Sequence, residues 1–158
     1  MRDIAVTAEV GSYLKICDQY FGVSDLELIR LIRSIKTDCR IVIVTSKKQQ
    51  PKSDDLPELY AREWKRSISM HLPGNCEFVI VGIEGSGESP IHDRWWITET
   101  SGLRLGTSYN SLGTSKSSEI AVLGEGEIAD REAKIDSLTQ RTIKEHKGSR
   151  ISFTIFEL

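Results

Sequence analysis

The sequence has few of the features that mark a membrane, secreted or zinc-binding protein. No apolar run approaches the length of a membrane-spanning helix, so we expect no transmembrane segment. Residues 1–6 contain no signal-peptide core, which favours a cytoplasmic location. The three cysteines, Cys17, Cys39 and Cys76, are widely spaced and form no CxxC pair. This spacing argues against zinc and predicts buried, reduced thiols.

The chain also lacks an excess of positive charge. It carries 21 lysines and arginines against 23 aspartates and glutamates, a formal net charge of −2. This balance argues against a strongly basic nucleic-acid binder but allows a locally basic surface. Residues 30–66 contain ten basic and five acidic side chains. A solvated helix face explains this bias as well as a phosphate-binding surface does.

The composition is that of a globular protein. With 158 residues, 39% of them hydrophobic and 28% charged, the chain is long enough for one domain with a proper core. We find no internal repeat and interpret residues 1–158 as a single domain.

Hydrophobic periodicity predicts the order β-α-β-α-β-β-β-β-α-β. Ser24 and Glu27 have the spacing of a capping box for a first helix that runs to about residue 36. Asp54 or Asp55 can cap a second helix, and a last helix is predicted at about residues 128–146. The β-branched run at residues 40–45 is typical of a strand buried on both faces. The predicted fold class is therefore α/β, with a mixed β-sheet flanked by helices on both faces.

The polar residues of greatest interest lie in a predicted hairpin, residues 91–110, whose turn is at residues 99–102. Alternation along the first strand places His92, Arg94 and Trp96 on one face. It places Ile91, Asp93, Trp95 and Ile97 on the other face. On the returning strand Ser108 and Asn110 are again two residues apart. An imidazole, a guanidinium, a hydroxyl and an amide that converge in this way favour an anion, and phosphate is the obvious one.

This stretch resembles the motif of the phospholipase D superfamily, H-x-K followed by an aspartate and then G-S-x-x-N or G-S-x-N. The matching positions are His92, Arg94, Glu99, Gly106, Thr107, Ser108 and Asn110. Arg94 replaces the family lysine, Glu99 replaces the aspartate, and Thr107 or Ser108 fills the serine position. The resemblance implies a phospholipase D-like half with a single copy of the motif.

The resemblance also implies an activity, that of a metal-independent phosphodiesterase and specifically a nuclease. His92 would be the nucleophile, and no cofactor or metal is required. Arg94, Ser108 and Asn110 would contact the nonbridging oxygens, and Glu119 would orient His92. Such chemistry uses two histidines, so a single motif implies a homodimer whose two copies of His92 meet across the symmetry axis.

A second function class remains open on the same residues. The domain can be a non-catalytic phosphate-recognition module that binds nucleic acid or anionic lipid head groups within a larger assembly.

Three neighbouring features also have two interpretations. Asp18 either lines the site or, as we favour, holds a turn. Trp96 either stacks a base or, as we favour, packs in the core. Residues 85–90 are interpreted as a hinge or lip beside the site.

Overall fold

The computed structural model describes residues 11–106 and 119–158 of the chain. Eight strands form one mixed sheet in the spatial order β6-β5-β4-β1-β2-β3-β8-β7. The strands are β1 Tyr13–Asp18, β2 Arg40–Ser46, β3 Cys76–Ile83, β4 Arg94–Ile97, β5 Gly102–Leu105, β6 Ile120–Val122, β7 Glu145–His146 and β8 Ser149–Glu157. The helices are α1 Glu27–Ile35, α2 Leu56–Ser67 and α3 Glu125–Thr139. The predicted element order is confirmed, with β7 as an additional short strand.

The centre of the sheet is parallel. β2 pairs in parallel with β1 on one side and with β3 on the other, whereas β4, β5, β6 and β8 pair antiparallel to their neighbours. Every residue of β2 after Arg40 is buried. The β-branched run therefore forms the doubly covered strand that the sequence predicts, because helices shield both of its faces.

Two hydrophobic clusters cover the two faces of the sheet. One contains Ile29 and Ile32 of α1 together with Tyr60 and Trp64 of α2. The other contains apolar residues of α3, Ile135 and Leu138. The helices thus lie on both faces, and the α/β prediction is confirmed. The hairpin alternates between the clusters as predicted, with Trp96 in the first and Trp95, Ile91 and Ile97 in the second.

The N-terminus of α1 differs from the predicted capping box. Ser24 is not the N-cap, because residues Val23–Asp25 form a short 3-10 turn before the helix. The buried Asp25 carboxylate accepts a hydrogen bond from the Gly22 backbone N–H at 2.8 Å and closes that turn. The N-cap of α2 is predicted correctly, since Asp55 accepts from the Glu58 N–H at 3.0 Å.

The last helix ends seven residues before the predicted end at residue 146, at Thr139. Arg141 adopts a positive φ of 57°, which stops the helix. Glu145 and His146 then form β7, which pairs with the start of β8. Lys147 and Gly148 both have positive φ and make the tight hairpin turn. The last strand of the predicted order is β8, which begins at Ser149, directly after this turn.

Candidate functional site

Three of the predicted site residues, His92, Arg94 and Glu119, lie at one edge of the sheet, where the parallel strands β1, β2 and β3 end. β4 begins at this edge, because its first residue Arg94 pairs with Asp18, the last residue of β1. β8 also begins here, with Ile151 opposite Ile83 at the end of β3. We call this the carboxyl edge. In open α/β sheets, ligands bind preferentially outside the carboxyl ends of the strands.

His92 lies just before β4 rather than inside it, because the strand starts at Arg94. Its side chain is exposed and lines a cleft at the carboxyl edge. Its backbone carbonyl accepts from the Gln19 side-chain amide at 3.3 Å. Among residues 11–106 and 119–158, no side chain or backbone group hydrogen-bonds the imidazole. A nucleophilic histidine needs an acceptor on its second nitrogen, and the described residues do not supply one.

Arg94 is half-buried and fixed at the same edge. Its Nη1 donates to the Gly106 carbonyl at 2.7 Å, and its Cζ lies 5.3 Å from the centre of the Tyr20 ring. Its Nε is buried and has no hydrogen-bond partner in the part of the chain that the structure describes. The guanidinium thus places a permanent positive charge against an aromatic ring beside the cleft.

The cleft beside His92 has a volume of about 320 Å³ and a mainly basic lining. The lining side chains are Gln19, Tyr20, Lys48, Gln49, Glu88, Ser89, His92 and Lys147. They include two lysines and a histidine against one carboxylate, Glu88. Lys147 arrives from the β7–β8 turn, and Lys48 from the 3-10 turn Lys47–Gln49 that follows β2.

A second cleft of about 670 Å³ adjoins the first and shares Lys48 and Glu88 with it. It lies between Lys47 and residues 82–88, which are the end of β3 and the loop that follows it. A Cβ at Gly82 would lie only 3.0 Å from Lys47 Cβ and from Ser152 Oγ. Glycine at this position therefore lets Lys47 lie directly over β3.

Beneath the lysine turn, a polar network joins the ends of β1 and β2. The Gln50 amide nitrogen donates to the Phe21 carbonyl at 2.9 Å and to the Ser46 carbonyl at 3.2 Å. The Gln50 amide oxygen accepts from the Tyr60 hydroxyl. Burial raises the pKa of Tyr60, and the nearby Asp25 carboxylate adds to this, so the hydroxyl stays a donor at neutral pH. The network fixes the turn that carries Lys47 and Lys48.

The remaining predicted site residues are not brought into this cleft by the described part of the chain. Ser108 and Asn110, with Thr107, lie outside the described residues. Glu119 is exposed at the carboxyl edge, and its carbonyl accepts from the Gly106 N–H at 2.8 Å. Its side chain lines a separate shallow cavity with Arg104, so an orienting contact with His92 stays a prediction.

Asp18 and Trp96, which the sequence left with two interpretations, have structural roles, and so does Glu99. Asp18 is buried, and its Oδ1 accepts from the Tyr20 N–H at 2.9 Å, as in a turn. Trp96 is only 1% exposed, so it packs in the core and cannot stack a ligand base. Glu99 lies at the opposite edge of the sheet and accepts from the Ser12 N–H at 2.6 Å. Desolvation raises the pKa of Glu99, but the hydrogen bonds that its carboxylate accepts from the Ser12 hydroxyl and from backbone N–H groups outweigh this effect. They hold the pKa below the usual value.

Sequence reasoning missed Tyr20 and Lys147 as cleft residues and saw Lys48 only as part of a basic bias. Lys147 reaches the cleft from the β7–β8 turn, and the sequence predicted a helix up to residue 146 instead of this hairpin. The signal for Tyr20 was present, since an exposed aromatic residue directly follows a strand that ends in Asp18. The three cysteines are buried free thiols, as predicted. In residues 11–106 and 119–158, no helix has the length and apolar character needed to cross a bilayer.

No protein-family model matches the chain, and no curated protein sequence matches it. Among solved structures, the chain is similar to TrmBL2, an archaeal chromatin protein whose structure is reported to show a novel mode of DNA binding. The TM-score is 0.51 at 11% sequence identity. The match covers 89% of this chain and 47% of TrmBL2, so the chain spans about half the length of that protein. At this identity, the likeness establishes a shared mixed α/β fold with part of TrmBL2.

Proposed function

We propose that this domain is a phosphate-recognition module that binds nucleic acid at the carboxyl edge of its sheet. The observation that carries the proposal is the basic cleft, in which Lys48, Lys147 and His92 converge beside the guanidinium of Arg94. Cations that line a concave surface attract phosphate from a distance, and released counterions supply much of the affinity. With an overall charge of −2, such attraction has to come from a local cluster of cations.

Two further facts support the proposal. His92, Arg94 and Gly106, which carry the resemblance to the phospholipase D superfamily, lie together at this edge, and that superfamily binds phosphodiesters. TrmBL2, whose fold is similar over part of its length, is reported to bind DNA. From the first of these facts alone, we propose a phospholipase D-like ancestry for this chain.

The test is binding of a fluorescent oligonucleotide as a function of salt. We expect Lys48→Gln and Lys147→Gln to weaken binding and each to reduce the slope of log affinity against log salt by roughly 0.7–0.9. Lys65→Gln is the matched control, because Lys65 is exposed in the last turn of α2, away from the cleft. Equal effects of all three substitutions would contradict the proposal. Tighter binding to phosphatidylserine vesicles than to oligonucleotides would replace nucleic acid with a membrane as the ligand.

A metal-independent nuclease is the second candidate, favoured by the exposure of His92 within the cleft. One motif provides one histidine, so this candidate requires a homodimer that joins two copies of the cleft. It predicts a dimer by light scattering and oligonucleotide cleavage in the presence of EDTA that His92→Ala abolishes. A monomer that binds oligonucleotides without cutting them would leave recognition alone as the function.

A further inference from the structure

Tyr20 is an exposed aromatic residue inside a basic cleft. Its side chain is 39% exposed and lines the cleft together with Lys48, His92 and Lys147. Large aromatic side chains bury most of their surface when they only pack, as Trp95 and Trp96 do at 2% and 1% exposure. An aromatic ring left open among cations is the arrangement with which proteins stack unpaired bases while they hold the phosphates.

Two contacts hold Tyr20 in place before any ligand arrives. The buried Asp18 carboxylate accepts a hydrogen bond from its backbone N–H at 2.9 Å. The Arg94 guanidinium lies against its ring, 5.3 Å from the centre, and is itself anchored to the Gly106 carbonyl. A ring fixed in this way loses little conformational entropy when a base stacks on it, so stacking contributes more of its energy to affinity.

The two adjoining clefts form a longer binding surface than a single phosphate group would occupy. Lys48 lines both the cleft that contains Tyr20 and the adjoining cleft, where Lys47 follows it along one wall and Glu84 and Glu88 lie in the loop opposite. The two clefts together are large enough for more than a single phosphate group. Gly85 and Gly87 line the second cleft, and a Cβ at either position would meet no atom within 4 Å, so this wall leaves room for a ligand.

We propose that the ligand is single-stranded nucleic acid, with one base stacked on Tyr20 and successive phosphates held by Lys147, Lys48 and Lys47. This inference rests on the proposed function and deepens it. A base inside a duplex is already stacked on both faces, so it cannot reach Tyr20 without unpairing, whereas a base in a single strand is free to do so. The site therefore distinguishes single strands from duplexes.

The test compares Tyr20→Ala and Tyr20→Phe with three probes at one salt concentration: oligothymidine, a duplex of equal length, and inorganic polyphosphate. We expect the wild type to bind oligothymidine more tightly than the duplex. Tyr20→Ala should weaken oligothymidine binding roughly 5- to 150-fold, the range for loss of one aromatic stack. Tyr20→Phe should restore that affinity, because phenylalanine keeps the ring. Polyphosphate has no bases, so its binding should stay unchanged in both variants.

Met70→Ala is the control for loss of an exposed apolar side chain, since Met70 is 77% exposed and lines neither cleft. Thermal unfolding of each variant verifies the fold. An equal loss of oligothymidine and polyphosphate binding in Tyr20→Ala would overturn the stacking role, because Tyr20 would then act only through Arg94. Duplex binding as tight as single-strand binding would also overturn the inference. If polyphosphate and both nucleic acids fail to bind the wild type, the proposed function fails with it.

Discussion

Gln50 directly follows the 3-10 turn Lys47–Gln49 and ties this turn to the rest of the fold through side-chain hydrogen bonds. Its amide reaches the ends of β1 and β2 through the Phe21 and Ser46 carbonyls, and it accepts from Tyr60 in the core. No other side chain in the described part of the chain joins these three elements. A loop that carries two lysines would otherwise be free to move away from the cleft, at an entropic cost to binding.

We expect Gln50→Leu to lower the free energy of unfolding by about 1–3 kcal/mol, because it leaves the buried Tyr60 hydroxyl without its acceptor. Tyr60→Phe removes the same hydrogen bond without leaving a buried donor unpaired, so its cost should be smaller, about 1 kcal/mol. Urea unfolding measures both values. A larger loss for Tyr60→Phe than for Gln50→Leu would contradict this account of the network.

Local sequence patterns predict only some of the residues at the candidate site. Alternation placed Trp95 and Trp96 on opposite faces correctly, because a strand between two cores has only two faces. It also predicted that His92 and Arg94 share a face of the strand, whereas the strand begins only at Arg94. It could not find Lys48 and Lys147 as neighbours, because they come from turns that are about a hundred residues apart in sequence. Their proximity follows from the order of the strands, which local periodicity does not contain.

At the scale of elements, α3 is held against the sheet by packing on the β4–β5 hairpin. A Cβ at Gly102, the first residue of β5, would lie 2.8 Å from Ile128 Cγ1 and 3.1 Å from Ile97 Cδ1. We expect Gly102→Ala to lower the free energy of unfolding by about 1–3 kcal/mol through this overpacking. The measurement is urea unfolding, and a second substitution, Ile128→Ala, should recover part of the loss.

Gly126→Ala is the matched control for that experiment. Gly126 lies within α3, and a Cβ there meets no atom within 4 Å. Alanine at this position should stabilise the helix by about 0.5–1 kcal/mol. A neutral Gly102→Ala variant would mean that α3 does not pack closely on the hairpin.

A carboxylate cluster also links α3 to β1. Glu132 accepts from Lys15 Nζ at 2.7 Å and from the Tyr13 hydroxyl at 2.6 Å, and Asp136 accepts from Lys15 at 2.7 Å. Partial burial raises the pKa of Glu132, but the hydrogen bonds from Lys15 and Tyr13 outweigh it, and the pKa lies below the usual value. The ionised form of Glu132 therefore stabilises the folded state.

The stabilisation by ionised Glu132 is fully present above the ordinary glutamate pKa of about 4.3. It is lost as the pH falls through the lower pKa that Glu132 has in the folded state. We expect the urea midpoint of the wild type to fall as the pH decreases from 6 to 3, and Glu132→Gln to flatten part of that dependence. Asp130→Asn, an exposed carboxylate on the same helix, is the control. Identical pH profiles for the wild type and Glu132→Gln would contradict the linkage.

The largest error in the predicted elements is the end of α3. α3 was extended to residue 146 because Ile143 continues the helical spacing, yet Arg141 takes a positive φ and the chain turns into β7. Pairing with β8 outweighs local helical preference there, and a Lys147-Gly148 turn is a weak hairpin signal compared with Asn-Gly. Strand β2 was predicted almost residue for residue, because a continuous β-branched run in a doubly covered sheet has few alternatives.

At the scale of the whole molecule, the charges are distributed so that binding and structure use different edges of the sheet. Glu99 and Ser12 tie the hairpin turn to the start of β1 at one edge. Three lysines, His92 and Arg94 lie at the other edge, where the parallel strands end, together with the carboxylates Glu84 and Glu88. This separation explains how a chain with a net charge of −2 can present a basic binding surface.

The most direct test of the basic cleft as the nucleic-acid site is a map of backbone amide chemical shifts during titration with a single-stranded oligonucleotide. We predict changes at the carboxyl edge, in residues 18–20, 47–50, 84–89, 92–94 and 147–149. We predict none at the opposite edge, in residues 36–40, 68–76 and 99–101. Changes confined to the opposite edge, or none at the carboxyl edge, would contradict the claim that the basic cleft is the nucleic-acid site.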